Sequence, residues 1–290
     1  MPLEDGLLFA FLATLSWGVG DFLIQRSVKK IGATEALAVI GVIGSLGLLP
    51  FIWKDIPQLF LPENSALVLA LGVITFAAAV LNFEAYKIGK LSVIEVVLEL
   101  ELPITVLLGI FLFNETLSFA QIGIIFLAFL GILLMSTRSL QLFSSHKNWM
   151  EKGVILGAMA AIGMGAVNFL TASAARNISP LMAIWAPWVI FTIFSCIAIY
   201  RNRKTHQLLQ KIRQNIPLLV GMGIIDTLAW MFFAFATEQR ELAITTAITE
   251  SYPAIAMGLA IAFNQEKIKR HQWIGALLAI GGSIALVFFI

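Results

Sequence analysis

Seven carboxylates lie within stretches otherwise apolar enough to cross a membrane: Asp21, Glu84, Glu95, Glu99, Glu101, Asp226 and Glu250. An ionised side chain at that depth costs about 2.5 to 3.5 kcal/mol on insertion scales, so it needs a wet cavity or a partner. Glu95 and Glu99 are four residues apart, which puts both on one helix face about one turn from each other. Glu101 falls about 200° round from Glu99 and shares that face only if the helix is locally broken. Pro103 can supply the break, because it has no N–H to offer the carbonyl of Glu99. Pro253 follows Glu250 by three positions, which sets Glu250 opposite Leu100, one place from Glu99, and Tyr252 faces the same way as Glu250 only if the backbone distorts before that proline. Clustered carboxylates in a low dielectric repel one another and are poorly solvated, so protons or cations compete for them. Trp17 and Trp230 share spans with Asp21 and Asp226, and ring faces attract cations where water is scarce.

The candidate substrate- or proton-binding residues are therefore Trp17, Asp21, Glu84, Glu95, Glu99, Asp226, Trp230, Glu250 and Tyr252, with Pro103 and Pro253 as helix breaks. Plainer roles compete with each of these. Asp21 can pair with Arg26 or Lys29, and Glu84 with Lys87 one turn on. A protonated carboxyl can act as interhelical glue, and Trp185, Trp188 and the other mid-span tryptophans can simply pack.

The elements that must hold these residues follow from composition. Of the 290 residues 59% are hydrophobic and 12% charged, against roughly a quarter charged in an average soluble domain, so the chain is a polytopic membrane protein. Ten stretches have membrane-crossing length: 7–28, 35–53, 66–88, 92–113 and 119–137, then 153–175, 180–200, 216–236, 242–263 and 273–290. Residues 1–140 form one five-helix repeat, 141–152 a polar linker, and 153–290 a second repeat. The opening residues are acidic, so no cleaved signal is expected, and the single thiol, Cys196, forms no internal disulfide.

A weak echo joins the two halves. Gly18, Asp21, Phe22 and Leu23 return 147 residues later as Gly165, Asn168, Phe169 and Leu170. Pro103 and Pro253 are 150 apart, while Glu115, Gln121, Ala128 and Gly131 match Glu266, Gln272, Ala279 and Gly282 at 151. Matches in order with slowly drifting offsets point to duplication. Five spans per half force the halves to enter the membrane in opposite senses. The expected fold is all-α: ten transmembrane helices as two inverted five-helix repeats around a central cavity. Gly163 to Gly165, Gly281-Gly282, Gly72 and Gly221 are expected to let helices approach closely, with Gly18 and Gly165 beside the cavity.

Trp17-Gly18, the two prolines, and the endings Phe113-Asn114-Glu115 and Phe263-Asn264-Gln265-Glu266 resemble the ten-helix, EamA-type members of the drug/metabolite transporter superfamily. The resemblance runs over nearly the whole chain. It implies a cavity lined mainly by helices 1, 3, 4, 6, 8 and 9, and all seven carboxylates lie in five of these, helices 1, 3, 4, 8 and 9. It implies a small-molecule substrate without saying which.

Sixteen of the 19 Lys and Arg residues fall in odd-numbered loops, which places those loops in the cytoplasm and both termini outside. Many relatives are described with their termini inside, so the charge count and the resemblance disagree. The seventh loop, 201–215, spaces Leu208, Leu209, Ile212 and Ile216 at helical intervals among basic residues; it is either a helix lying on an anionic leaflet or a solvated linker.

His146, His206 and His271 all lie in loops, so Ser-His chemistry and His-ligated metal catalysis lack a base or ligand at depth. Asp21 and Asp226 as an aspartyl protease pair have nothing else in support. No phosphate-binding Gly-Lys-Ser/Thr loop and no domain for nucleic acid is present. The expectation is a secondary-active transporter of the cell (plasma or inner) membrane, not an enzyme, with neither cofactor nor metal. Proton coupling and organic cations or amines are favoured, with export of amino acids or related metabolites as the alternative. That alternative is weakened because no Lys or Arg lies mid-span to meet a carboxylate. The partners are the small-molecule substrate, protons and the lipid bilayer; a homodimer is left open.

Overall fold

The computed structural model describes residues 3–88, 97–137, 152–201, 205–264 and 269–288. The regular structure in them is helical: α1 (Leu3–Ile31), α2 (Ala33–Ile52), α3 (Pro62–Ile88), α4 (Glu101–Leu112), α5 (Phe119–Ser136), α6 (Lys152–Asn177), α7 (Pro180–Arg201), α8 (Thr205–Gln214), α9 (Ile216–Gln239), α10 (Leu242–Thr249), α11 (Pro253–Asn264) and α12 (Arg270–Val287), with a short 3-10 turn at Ile56–Phe60. Among the described residues eight candidate membrane spans stand out by length and composition, α10 and α11 together making one of them. The described parts of the expected fourth and tenth spans fall below that standard for different reasons. α4 starts late because the backbone is interrupted just before Glu101, and the 18 residues of α12 open on Arg270, His271 and Gln272.

The helices pair in a pattern that survives exchange of the two halves. α1 lies along α9 as α3 lies along α6; α2 packs on α7 and α5 on α12; α1 meets α11 as α6 meets α4. Small residues set the tightest crossings, since packing rather than hydrophobicity joins helices in lipid. A Cβ on Gly131 would lie 2.6 Å from the Ala279 nitrogen, and one on Gly282 2.9 Å from the Ala128 Cβ. The two echoed stretches therefore cross each other in space, Gly131 against Ala279 and Gly282 against Ala128. Gly163 and Gly72 also lie close to a neighbour, Ala78 and Ile190 respectively, whereas Gly281 and Gly221 border open or loosely filled space. Phe111, Phe119 and Leu277 point outward and are more than two-thirds exposed, as suits a lipid solvent.

The matched glutamines Gln121 and Gln272 begin the fifth and last helices in the same way. Gln121 Oε1 accepts from the Ser118 backbone N–H at 2.7 Å while Ser118 Oγ accepts from the Gln121 N–H at 3.2 Å; Gln272 Oε1 accepts from the Lys269 N–H at 3.1 Å. Ser118→Ala removes one half of this capping box and is expected to cost about 1 kcal/mol, read as a lowered thermal unfolding midpoint in detergent.

The seventh loop contains a helix, α8, with Leu208 and Ile212 packed on the core and Leu209, Lys211 and Arg213 exposed. Asn215, just past its end, accepts a 2.7 Å hydrogen bond from Lys30 Nζ at the end of α1.

Candidate functional site

Two helix interruptions build the site. Val97 and Leu98 are helical, Glu99 and Leu100 form a turn, and α4 begins at Glu101. In the other half α10 ends at Thr249, Glu250 to Tyr252 turn, and α11 begins at Pro253. The cause in the second case is local. Pro253 has no N–H for the carbonyl of Thr249, which accepts instead from Tyr252 N at 3.0 Å, just as Ile248 O accepts from Ser251 N at 3.2 Å. The tightened turn carries Glu250 and Tyr252 round toward the bundle centre.

That centre gathers acids from both halves. Glu250, 8% exposed, stands within electrostatic reach of Glu101 and Glu99. Tyr252 lies within reach of Asp21, Glu250, Glu99 and Glu101, and Asp226, 7% exposed, within reach of Asp21. Two of the carboxylates have named hydrogen-bond donors. Ser136 Oγ on α5 donates to Glu99 Oε1 at 2.8 Å, and Asn168 Nδ2 on α6 donates to Glu101 Oε1 at 2.8 Å and to Thr105 Oγ1 at 3.3 Å.

The aromatic side of the site follows from helix spacing. Trp17 and Asp21 are four apart on α1, and Asp226 and Trp230 are four apart on α9, so each pair sits on one face. Because α1 and α9 run antiparallel, they meet in two rungs: Trp17 against Trp230, edge to face at 5.1 Å, and Asp21 facing Asp226. Tyr252 adds a third ring 6.2 Å from Trp17. Trp188 continues the stack 5.8 Å from Trp230, and Trp185 donates its indole N–H to Ser45 O at 2.9 Å, so these two tryptophans pack α7 against its neighbours.

The glycines named beside the cavity are tight crossings. A Cβ on Gly18 would lie 2.6 Å from the Ile255 Cβ and 3.1 Å from the Tyr252 carbonyl; one on Gly165 would lie 2.6 Å from Ile104 Cγ2 and 3.4 Å from Thr105 Oγ1. Each brings the first helix of one half against the stretch just after the proline break of the other. Of the remaining candidates, Glu84 is half-buried one turn before the end of α3, and Glu95 lies outside the described residues. Sequence reasoning left Glu101, Asn168 and Ser136 off the site. The signal for Asn168 was present, since it is the echo of Asp21; nothing in the spacing points to Ser136.

A bundle of apolar helices with acids and aromatic rings collected at paired helix breaks defines a polytopic membrane protein with a polar centre. The chain belongs to the EamA-like transporter family, whose model matches residues 5–137 and again 151–288. It is thus a membrane transporter of the drug/metabolite type, built from two family repeats. A solved crystal structure of another protein superposes with a TM-score of 0.80 over 99% of this chain and 97% of that one; at 16% identity the likeness speaks for the fold alone. No curated protein matches the sequence.

Proposed function

We propose that the protein exchanges protons for small organic cations or amines by alternating access, with Glu99 and Glu250 as the carriers. The observation that carries this is that Glu250, at the helix break of one half, lies within electrostatic reach of Glu99 and Glu101, at the helix break of the other. Several carboxylates gathered in a low dielectric repel one another, so protons and cations compete for them. A desolvated amine loses least when aromatic faces and a carboxylate replace its water, which Trp17, Trp230 and Tyr252 offer beside the acids. Binding of the cation then displaces a proton, and reprotonation from the far side releases it.

Ten crossings in two inverted halves are the architecture for this cycle, with the family's two repeats and the exchange symmetry of the helix pairing in support. The loop charge bias orients both termini to the outside, with α8 on the inner leaflet. In proteoliposomes carrying an internal pH dye, quaternary or primary amines are expected to evoke proton movement and neutral amino acids none. Silence for amines together with a response to amino acids replaces this function with metabolite export.

A further inference from the structure

We infer that Glu115 and Arg176 form the gate of the central site at the end of the bundle where the chain begins. Gly6 identifies that end, because its Cβ would lie 2.7 Å from Arg240 Cγ, and the Arg240 carbonyl is one of the groups that Arg176 holds. Glu115 belongs to the first half, yet its carboxylate caps a helix of the second. Oε1 accepts from the Leu242 N–H at 2.6 Å and Oε2 from the Ala243 N–H at 3.0 Å, the first two residues of α10. Arg176, at the end of α6, donates to Glu115 Oε1 at 3.2 Å and to the carbonyls of Thr237 and Arg240 at 2.7 and 2.8 Å. Its guanidinium also lies 4.1 Å over the Phe113 ring. The bend that presents Glu115 is made by Asn114, whose φ of 55° only a few residue types adopt comfortably. Gly109 completes the fit: a Cβ there would lie 2.6 Å from Glu115 Oε2.

What this cluster holds is a plug. All eight residues of α10 are buried, and Glu250 follows directly at its end. Leu242 is eight residues from Glu250, about 12 Å along a helix, so α10 fills the depth between that end of the bundle and the acids. α11, beyond the break, is far less enclosed, with Gly258 and Phe263 exposed. Every bond from Glu115 to α10 and to Arg176 crosses between the halves. If the halves rock, these bonds separate or hold as one unit, and their number and burial make them the closure of this end. The inference rests on the alternating-access reading above, because a gate has meaning only for a site that opens to both sides.

The test needs no substrate. In a Cys196→Ala background, Tyr252→Cys places a reporter thiol at the centre, and a small charged methanethiosulfonate is added to vesicles from the side bearing Glu115. Labelling is expected to be slow, and to accelerate on the order of tenfold or more in Glu115→Gln and Arg176→Gln, as when an interaction of about 1.4 kcal/mol is lost. Arg176→Lys keeps the charge without the planar fork and is expected to fall between; it also serves if either Gln variant fails to fold. Fast labelling of the background protein, or one rate in all variants that remain monodisperse, overturns the gate. With amine response read in the protein that keeps Tyr252, proton movement there with unresponsive labelling removes the gate alone, whereas responsive labelling without any amine response there removes the substrate assignment and leaves the gate standing.

Discussion

Glu250→Gln, correctly inserted, is expected to abolish amine-evoked proton movement, and Glu99→Gln to reduce it by on the order of tenfold or more, as when about 1.4 kcal/mol of binding is lost. Glutamine keeps the size and hydrogen-bonding capacity of the side chain but holds neither a proton to release nor a charge for an amine. The difference between the two arises from their surroundings. Glu250 is 8% exposed and within electrostatic reach of two acids of the other half, so under the proposed exchange its charge state sets whether the group as a whole accepts a cation. Glu99 is half-buried and shares its oxygen with the Ser136 hydroxyl at 2.8 Å. In the parent protein, amine binding is expected to weaken as pH falls on the loading side, because protons and cations compete for the same carboxylates. In Glu250→Gln that slope flattens. The measurement is internal pH in proteoliposomes across a series of external pH values, with insertion checked by protease accessibility. Unchanged amplitude and pH dependence in both variants, each inserted and monodisperse, sinks the proton-exchange mechanism.

Gly275→Leu is expected to destabilise the protein more than loss of the Ser118 cap does. A Cβ at Gly275 would lie 2.5 Å from the Gly131 carbonyl oxygen and 2.6 Å from the Met135 nitrogen, and backbone atoms cannot turn aside as a side-chain tip can. The α5–α12 pair must separate to admit even one methyl group. Overpacking of this kind costs about 1 to 3 kcal/mol and sometimes more. At about 2 to 4 °C per kcal/mol for a chain of this order, the midpoint falls by several degrees, or the protein is lost as aggregate. Gly281→Leu is the matched control. Gly281 lies in the same helix with nothing within 4 Å of its Cβ position, so the same side chain meets open space and the midpoint holds within the small change typical of surface sites. Equal losses in the two variants would mean that glycine serves helix flexibility at these positions rather than close approach.

Some of the site was readable from residue spacing. A one-turn separation puts Trp17 beside Asp21 and Asp226 beside Trp230 in any helix, whatever it packs against. The missing N–H of Pro253 likewise predicts a disturbed turn before it, because the defect is in the residue itself. Glu101 shows where this kind of reasoning stops. Its position two residues after Glu99 places it on another face of a regular helix, and only the turn at Glu99–Leu100 together with the Asn168 side chain brings it to the centre. The Asn168 amide was legible only as the counterpart of Asp21.

The amino-acid sequence alone determined the membrane class, the apolar stretches, the two-repeat plan and the family, because hydropathy and the internal echo are properties of local composition and order. It also held the capping glutamines and the proline breaks, whose causes lie within a few residues. Only the tertiary structure decided which acids face one another, that Ser136 and Asn168 supply their hydrogen bonds, and that Glu115 of one half caps α10 of the other beside Arg176. Those contacts join residues 37 to 127 positions apart. No local periodicity encodes such a pairing; it follows from how the glycine-lined crossings seat one half against the other.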